Sequence, residues 1–295
     1  MANHNDHRFL LLTPAAPPPR RSVGAQLRLL QLLDSSFPCG GFAHSGGLEA
    51  AHRAGRLPAG DAGALDVALS ALVASSLALL LPFCLAAHAA ARAAATARDP
   101  EACESDEEEE EEAEGAAERS ARAAAAAAPA LSARLAPLVA ELGAHHAAAP
   151  VARRAALAAG PALVRAASAA FPSHIAPLLA AMACSPLASA GPVPGAIALG
   201  AVVGLIGVTS PPDCGAALLH ATLRDAVSAA TRLGVVGPMG AAGAHARAAA
   251  AGGRTLRSAL RDGTAFDVAS AAGCNPLADV LQAGHDALFA RLFQS

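Results

Sequence analysis

Residues 27–57 read LRLLQLLDSSFPCGGFAHSGGLEAAHRAGRL, and this segment carries the most specific pattern in the chain. Its leucines recur at helical spacing and stop at an Asp-Ser-Ser tripeptide, whose side chains compete with the backbone for hydrogen bonds. A loop with one proline and two glycines follows. A second helix is predicted to begin near Ser45, with Glu49 in its first turn, where the helix dipole favours an anion. The segment therefore predicts two helices joined by a tight, glycine-rich loop.

The rest of the chain also has a helical hydrophobic period. Of its 295 residues 85 are alanine, the strongest helix former, and no stretch alternates in the way that strands require. Residues 216–233 place their leucines on one face, and Gly234 then ends the helix. Asn275 and Pro276 are a good N-cap and first-turn pair, so a last helix is predicted over about 276–293. The sequence therefore predicts an all-α fold.

Composition divides the chain into three parts. Residues 1–22 are proline-rich and are predicted to be a flexible tail. Residues 101–118 hold eleven acidic side chains and no basic one, and a run of alanines follows. Because a block of like charge repels itself and stays solvated, we expect a disordered, acidic and alanine-rich insertion over 99–130, with helix at its end. This insertion interrupts a single all-α domain predicted over 23–295.

Several classes of function are excluded by residue counts. All 21 basic residues are arginine, so neither a P-loop nor a Schiff-base enzyme can be built, since both need lysine. No two glycines stand two positions apart, which removes the dinucleotide-binding fingerprint. The six cysteines form no C-x-x-C pair that would hold a metal or a redox couple. A chain of this length without a signal-peptide pattern is expected to be reduced and cytoplasmic.

Two functions remain as alternatives from the residues alone. Residues 67–87 carry no charge and are long enough to cross a bilayer, and 175–212 are also uncharged although interrupted by six prolines. An integral membrane protein built on both segments is the first alternative. Asp34, His44 and Glu49 around one tight loop point to a metal-dependent hydrolase as the second. Capping of two helix ends would explain the same three residues without any chemistry.

Segment 27–57 resembles the hallmark of the urease accessory protein UreF family, in which a helix precedes an aspartate, Phe-Pro-x-Gly-Gly-Phe and His-Ser-x-Gly-Leu-Glu. Residues 224–234, RDAVSAATRLG, are similar to the family's Ser-Ala-Ala-x-Arg-Leu-Gly helix, and residues 276–295 are similar to its C-terminal signature. The family's Arg-x-Ala-Ser motif is only partly present at 153–156. The residues that match the hallmark are Asp34, Phe37, Pro38, Gly40, Gly41, Phe42, His44, Ser45, Gly47, Leu48 and Glu49.

The resemblance implies an all-α, non-enzymatic assembly factor for urease. Such a factor forms a homodimer, binds a UreD/UreH-type accessory protein and recruits the nickel-carrying GTPase UreG, so that nickel reaches apo-urease. It implies no tightly bound cofactor, because nickel passes through the assembled complex, and neither a nucleic-acid nor a membrane partner. The partner-binding residues that it implies are Phe42, His44, Glu49, Arg224, Arg232, His285, Phe289, Arg291 and Phe293.

The predicted last helix gives a separate reason to expect a partner. On a helical wheel Leu277, Leu281, Leu288 and Leu292 form one stripe, whereas Phe289 and Phe293 lie on a second face. A helix that is apolar on two sides needs a second surface to cover it. Partner contact through Phe289, Arg291 and Phe293 is one interpretation, and burial of both faces in the protein's own core is the other.

Overall fold

The computed structural model describes residues 22–96 and 110–295, and the regular structure within these ranges is entirely helical. The predicted all-α class is therefore confirmed. The helices are α1 (Val23–Leu33), α2 (Leu48–Arg53), α3 (Ala62–Ser75), α4 (Leu81–Thr96), α5 (Glu110–His145), α6 (Pro150–Ala170), α7 (Pro172–Ala183), α8 (Ser185–Ala190), α9 (Gly195–Leu205), α10 (Pro211–Arg232), α11 (Pro238–Asp262) and α12 (Pro276–Ala283). Residues 1–21 of the predicted tail lie outside the described residues.

Helices α4 and α9 form the centre of the bundle. Residues 195–206 are buried with a single exception, Gly195, and α4 contributes the fully buried Phe83. Two glycines of α9 make this contact possible, because a Cβ at Gly200 or Gly204 would collide with backbone carbonyl groups of α4. The contact between α4 and α9 therefore depends on close approach of the two backbones.

Helices α3 and α4 are joined without a loop by a π-helical turn at Ser76–Leu80. The combined rod runs from Ala62 to Thr96 and, by length and composition, is apolar enough to cross a membrane, as is Glu118–His145. About half of each rod's most apolar window is covered by protein, at 44% and 39% respectively. Segment 175–212 is divided among α7, α8 and α9, as its prolines predicted.

Only part of the insertion predicted over 99–130 falls within the residues that the structure describes. Residues 97–109 lie outside the described residues, but 110–130 belong to the continuous helix α5, so the prediction of disorder is wrong there. Ala124, Ala127 and Ala128 are buried in the core. The alanine run combines high helix propensity with side chains small enough to lie against neighbouring helices. A packed alanine-rich helix has the same composition as a disordered low-complexity segment, so composition alone did not distinguish the two.

The last helix begins where it was predicted but ends early. The Asn275 side chain accepts a hydrogen bond from the Ala278 amide, 3.1 Å, and caps α12. The helix ends at Ala283, a short 3₁₀ turn follows over Gly284–Ala287, and the chain then leaves helical geometry. The predicted stripe of four leucines therefore does not form, and Phe289 and Phe293 are not one helical turn apart.

Candidate partner-binding site

The loop between α1 and α2 begins at a local cap. The Asp34 carboxylate accepts hydrogen bonds from the Ser36 amide and hydroxyl, at 2.7 and 2.5 Å, and these bonds lower the pKa of Asp34. Gly40 and Gly47 have φ of 77° and 89°, in the left-handed region that favours glycine. The loop therefore changes direction at glycines, and Gly40 and Gly47 of the motif have a conformational role.

Arg224 of α10 holds this loop in place. Its guanidinium donates to the carbonyl groups of Leu33 and Asp34, at 3.1 and 3.2 Å, and to the Cys39 sulfur at 3.1 Å. The same group lies 5.3 Å from the centre of the Phe42 ring. Because helix C-terminal carbonyls lack partners within their own helix, this arginine supplies the missing donors at the end of α1.

Asp225 lies beside Arg224 and faces the same loop. Its carboxylate accepts a hydrogen bond from the Arg224 Nε at 3.0 Å. Burial raises the pKa of Asp225, and the neighbouring arginine opposes this only in part. A side chain at Gly41 would collide with the Asp225 carboxylate, so the second motif glycine is required for close approach.

Glu49 ties the C-terminal segment to α2. Its fully buried carboxylate accepts hydrogen bonds from the amides of Leu292 and Phe293, at 2.6 and 3.0 Å. Amides 292 and 293, which the predicted helix would have bonded to a preceding turn, are thus bonded to Glu49.

Three further hydrogen bonds place the last residues against the loop. The Ser45 amide donates to the Ser295 backbone oxygen at 2.6 Å, and the Gln294 amide donates to the Ala43 carbonyl at 2.9 Å. The His44 Nδ1 lies 2.5 Å from the Ser295 hydroxyl. Burial lowers the pKa of His44, His285 lowers it further, and Asp225 acts in the opposite direction. We call this set of contacts, from Glu49 and residues 43–45 to residues 292–295, the tail clamp.

Arg232 completes the tail clamp from α10. Its guanidinium donates to the Phe42 carbonyl at 2.5 Å and lies 4.4 Å from the centre of the Phe293 ring. Phe293 is only 5% exposed. A guanidinium stacked on an aromatic face is favourable, and more so when water is excluded. Phe293 is therefore part of the protein's own packing.

His285 is buried beneath the tail clamp, and no residue within 22–96 or 110–295 forms a hydrogen bond with its ring. Both ring nitrogens are unbonded, and Nδ1 lies 3.9 Å from the nearer Glu49 oxygen, which is too long for a hydrogen bond. His285 and Glu49 are both fully buried. The two side chains are therefore neighbours without a hydrogen bond, and neither is available at the surface.

Phe289 and Arg291 lie outside this packing. Phe289 is fully exposed, and Arg291 is 44% exposed with its guanidinium 3.5 Å from the Asp286 carboxylate. Asp286 also pairs with Arg154 of α6 at 2.5 Å. These residues form the outer side of the C-terminal segment, and the interpretation that Phe289 and Phe293 share one face is wrong.

A groove of about 380 Å³ opens next to the loop. Alanines of α6 line one wall, and His44 and Asp225 are among its polar lining residues. Among the residues that the structure describes, no group of three or more His, Cys, Asp or Glu side chains could hold a metal ion. Asp34, His44 and Glu49 each bind a different backbone or hydroxyl group, so the ligand set of the hydrolase alternative is not formed. The alanines and leucines of the groove are Leu72, Leu79, Leu80, Leu142, Ala149, Ala152, Ala155, Ala156, Ala159, Ala196 and Ala226.

Comparison with curated proteins finds similarity to a urease accessory protein F from Arabidopsis thaliana, which is 42% identical over 96 residues. The similarity covers 32% of this chain and 38% of that relative's length. No protein-family model matches the chain.

The UreF resemblance selected residues that the structure largely brings together. The loop, α10 and the C-terminal segment meet through Phe42, His44, Glu49, Arg224, Arg232, His285 and Phe293, whereas Phe289 and Arg291 stay outside. Their role in binding a partner stays a prediction.

Sequence analysis missed Asp225, Asp286 and Arg154. Asp225 stands in the UreF-like stretch 224–234, and the signal would have been an acidic residue paired with the motif arginine. The pair of Arg154 with Asp286 joins α6 to a segment 132 residues further along the chain, so no local pattern reveals it.

Proposed function

We propose that this chain is a non-enzymatic urease accessory factor of the cytoplasm. It acts as a homodimer that bridges a UreD/UreH-type protein and a UreG-type GTPase, so that nickel is delivered to apo-urease. The single observation that carries the proposal is the tail clamp together with the fully exposed Phe289 that it presents. The similarity to urease accessory protein F supports the same role.

The C-terminal segment has the chemistry of a protein-binding surface. Leu277, Val280, Phe289 and Leu292 are 62%, 67%, 107% and 50% exposed, all within the last nineteen residues. Large apolar side chains at such exposure are typical of interaction sites, and aromatic and arginine side chains are common anchors of an interface. We call these four side chains the C-terminal apolar set.

The tail clamp supports recognition by fixing the backbone behind these side chains. Glu49 and Arg232 hold residues 292 and 293, so Arg291 and the apolar set are presented by an ordered segment. An ordered surface loses less conformational entropy on binding than a free tail does. The buried residues of the tail clamp therefore affect partner binding by positioning the C-terminal segment, whereas Arg291 and the C-terminal apolar set contact the partner directly.

The amino-acid composition of the chain indicates which steps its partners must carry out. Without lysine it cannot form a P-loop, so GTP binding and hydrolysis belong to the partner GTPase. Nickel is the cargo of the assembled complex and is not a resident cofactor of this chain.

The test is a pull-down of the full chain with UreD/UreH-type and UreG-type proteins from the same source. Phe289→Ala should weaken capture of the accessory complex by about tenfold or more, since burying one phenylalanine contributes roughly 1.5–3 kcal/mol. Met239→Ala is a matched control, because Met239 is 88% exposed but stands on α11. Wild-type binding by the Phe289 variant would overturn this surface, and absence of binding by the wild-type chain would overturn the proposed function.

A further inference from the structure

Two cysteine thiols meet in the centre of the bundle. Cys84 of α4 and Cys214 in the first turn of α10 have their sulfur atoms 3.7 Å apart, although 130 residues separate them in the chain. Both side chains are completely buried. Neither residue belongs to the partner-binding site, and the sequence gives no sign of the pair because no C-x-x-C spacing is present.

The helices around the thiols cannot easily separate them. The Cys84 carbonyl lies against Gly200 of α9, and Gly215, next to Cys214, packs against Leu81 and Leu256. The pair thus lies where α4, α9, α10 and α11 meet. Any bond between the sulfur atoms would connect α4 to the helix that carries Arg224 and Arg232.

We propose that Cys84 and Cys214 are a modification site, at which a peroxide-class oxidant forms a disulfide that braces α4 against α10. The sulfur atoms need to close from 3.7 Å to about 2.05 Å. Small rotations of the two side chains can supply this movement while the helices stay in place.

The chemistry balances with one peroxide molecule. One thiol loses its proton, and the thiolate attacks a peroxide oxygen, so that a sulfenic acid forms and the O–O bond breaks with release of water. The second sulfur, as a thiolate, attacks the sulfenic sulfur and displaces hydroxide, which takes up the released proton as water. Two thiols are oxidised by two electrons in total, and the peroxide is reduced to two waters.

Burial controls how fast the site reacts. The hydrogen bond with Cys84, together with burial, raises the pKa of the Cys214 thiol, so little thiolate is present at neutral pH. Oxidation should therefore be slow and should accelerate as the pH rises. The other described cysteines lie elsewhere: Cys39 contacts Arg224, Cys184 is half-buried at the C-terminal end of α7, and Cys274 is exposed.

The experiment treats the full-length protein with hydrogen peroxide, blocks the remaining thiols by alkylation and maps the peptides without reduction. We expect one linked peptide pair containing Cys84 and Cys214. We also expect a melting temperature raised by roughly 5–10 °C, because the bond closes a long loop in the unfolded chain, and dithiothreitol should reverse the change.

Matched variants make the assignment specific. Cys84→Ser and Cys214→Ser should each abolish both the linked peptide and the thermal shift, whereas Cys274→Ser and Cys39→Ser should retain them. The proposal is overturned if the oxidised wild-type protein carries sulfinic acid or an alkyl label on Cys84 and Cys214, or if either is linked to another cysteine. The wild-type peptide map decides this even if a serine variant folds poorly.

Discussion

The centre of the bundle and the tail clamp are stabilised by opposite means. At the centre, α4 and α9 are in contact through glycine, alanine and buried sulfur, with His88 as a polar exception that bonds to the Val208 carbonyl at 2.8 Å. In the tail clamp, a buried carboxylate and the Arg232 guanidinium are bonded to backbone groups. The first region depends on shape and the second on directed hydrogen bonds. Substitutions should therefore destabilise the centre of the bundle through steric overlap and the tail clamp through lost hydrogen bonds.

The largest effect is expected at Gly200. Gly200→Ala should destabilise the fold by about 1–3 kcal/mol or more, because its methyl group would overlap the Cys84 carbonyl and backbone cannot easily move aside. Urea unfolding followed by circular dichroism measures the change.

Gly253→Ala on α11 is the matched control for this prediction. A Cβ there meets only the end of the Arg257 side chain at 3.7 Å, so the change should stabilise by about 0.5–1 kcal/mol through helix propensity. Equal effects at the two glycines would contradict the close-packing account of the core.

A further loss of stability is expected in the tail clamp. Glu49→Ala removes the acceptor of the Leu292 and Phe293 amides, and leaving a buried amide without its partner costs roughly 1–3 kcal/mol. Hydrogen exchange should accelerate at these two amides while the exchange of α4 and α9 stays unchanged. Glu49→Gln keeps one oxygen acceptor and should retain part of the protection.

The pH dependence of stability comes next in size. Burial lowers the pKa of His44, His88, His146 and His245, so the unfolded chain binds protons more readily than the folded one. Stability should therefore fall as the pH drops below about 6.5, the ordinary histidine value.

Asp225 makes a contribution to the pH dependence of stability that has the opposite sign to that of the histidines. Because its pKa is raised on folding, its own contribution is favourable when protonated and is lost as the pH rises above the ordinary aspartate range. Urea unfolding at several pH values, for wild type and for His44→Gln, checks the histidine part. An unchanged pH profile in the variant would show that His44 does not contribute.

The smallest effect on stability is expected at the exposed ion pair of Arg154 with Asp286. Arg154→Ala should cost less than about 1 kcal/mol, since solvent screens a pair in which both side chains are about half exposed. Arg291→Ala should likewise leave the melting temperature almost unchanged, but it should impair recruitment of the GTPase in the pull-down. A loss of stability as large as that of Glu49→Ala would place Arg291 inside the clamp.

The sequence predicted the parts of this fold that are local. The leucine period and the Gly234 stop gave α10, and Asn275 with Pro276 gave the start of α12. The predictions failed where tertiary contacts determine the structure. Amides 292 and 293 bond to Glu49 instead of continuing the predicted helix. Buried alanines make 124–128 part of the core. The site residues were found through family resemblance, whereas their pairing, such as Asp225 with Gly41, needed the fold.

The π-helical turn at Ser76–Leu80 sets the rotational phase of the longest apolar rod. Such a turn contains one residue more than an α-helix has room for, and it therefore rotates everything that follows by roughly 100° about the axis. Before the turn, Leu69 and Val73 are directed at the core, and the Ser76 hydroxyl bonds to Thr222 at 3.1 Å. After the turn, the face of α4 presented to α9 contains Cys84. A single extra residue thus lets one uninterrupted helix serve two neighbours that lie in different directions.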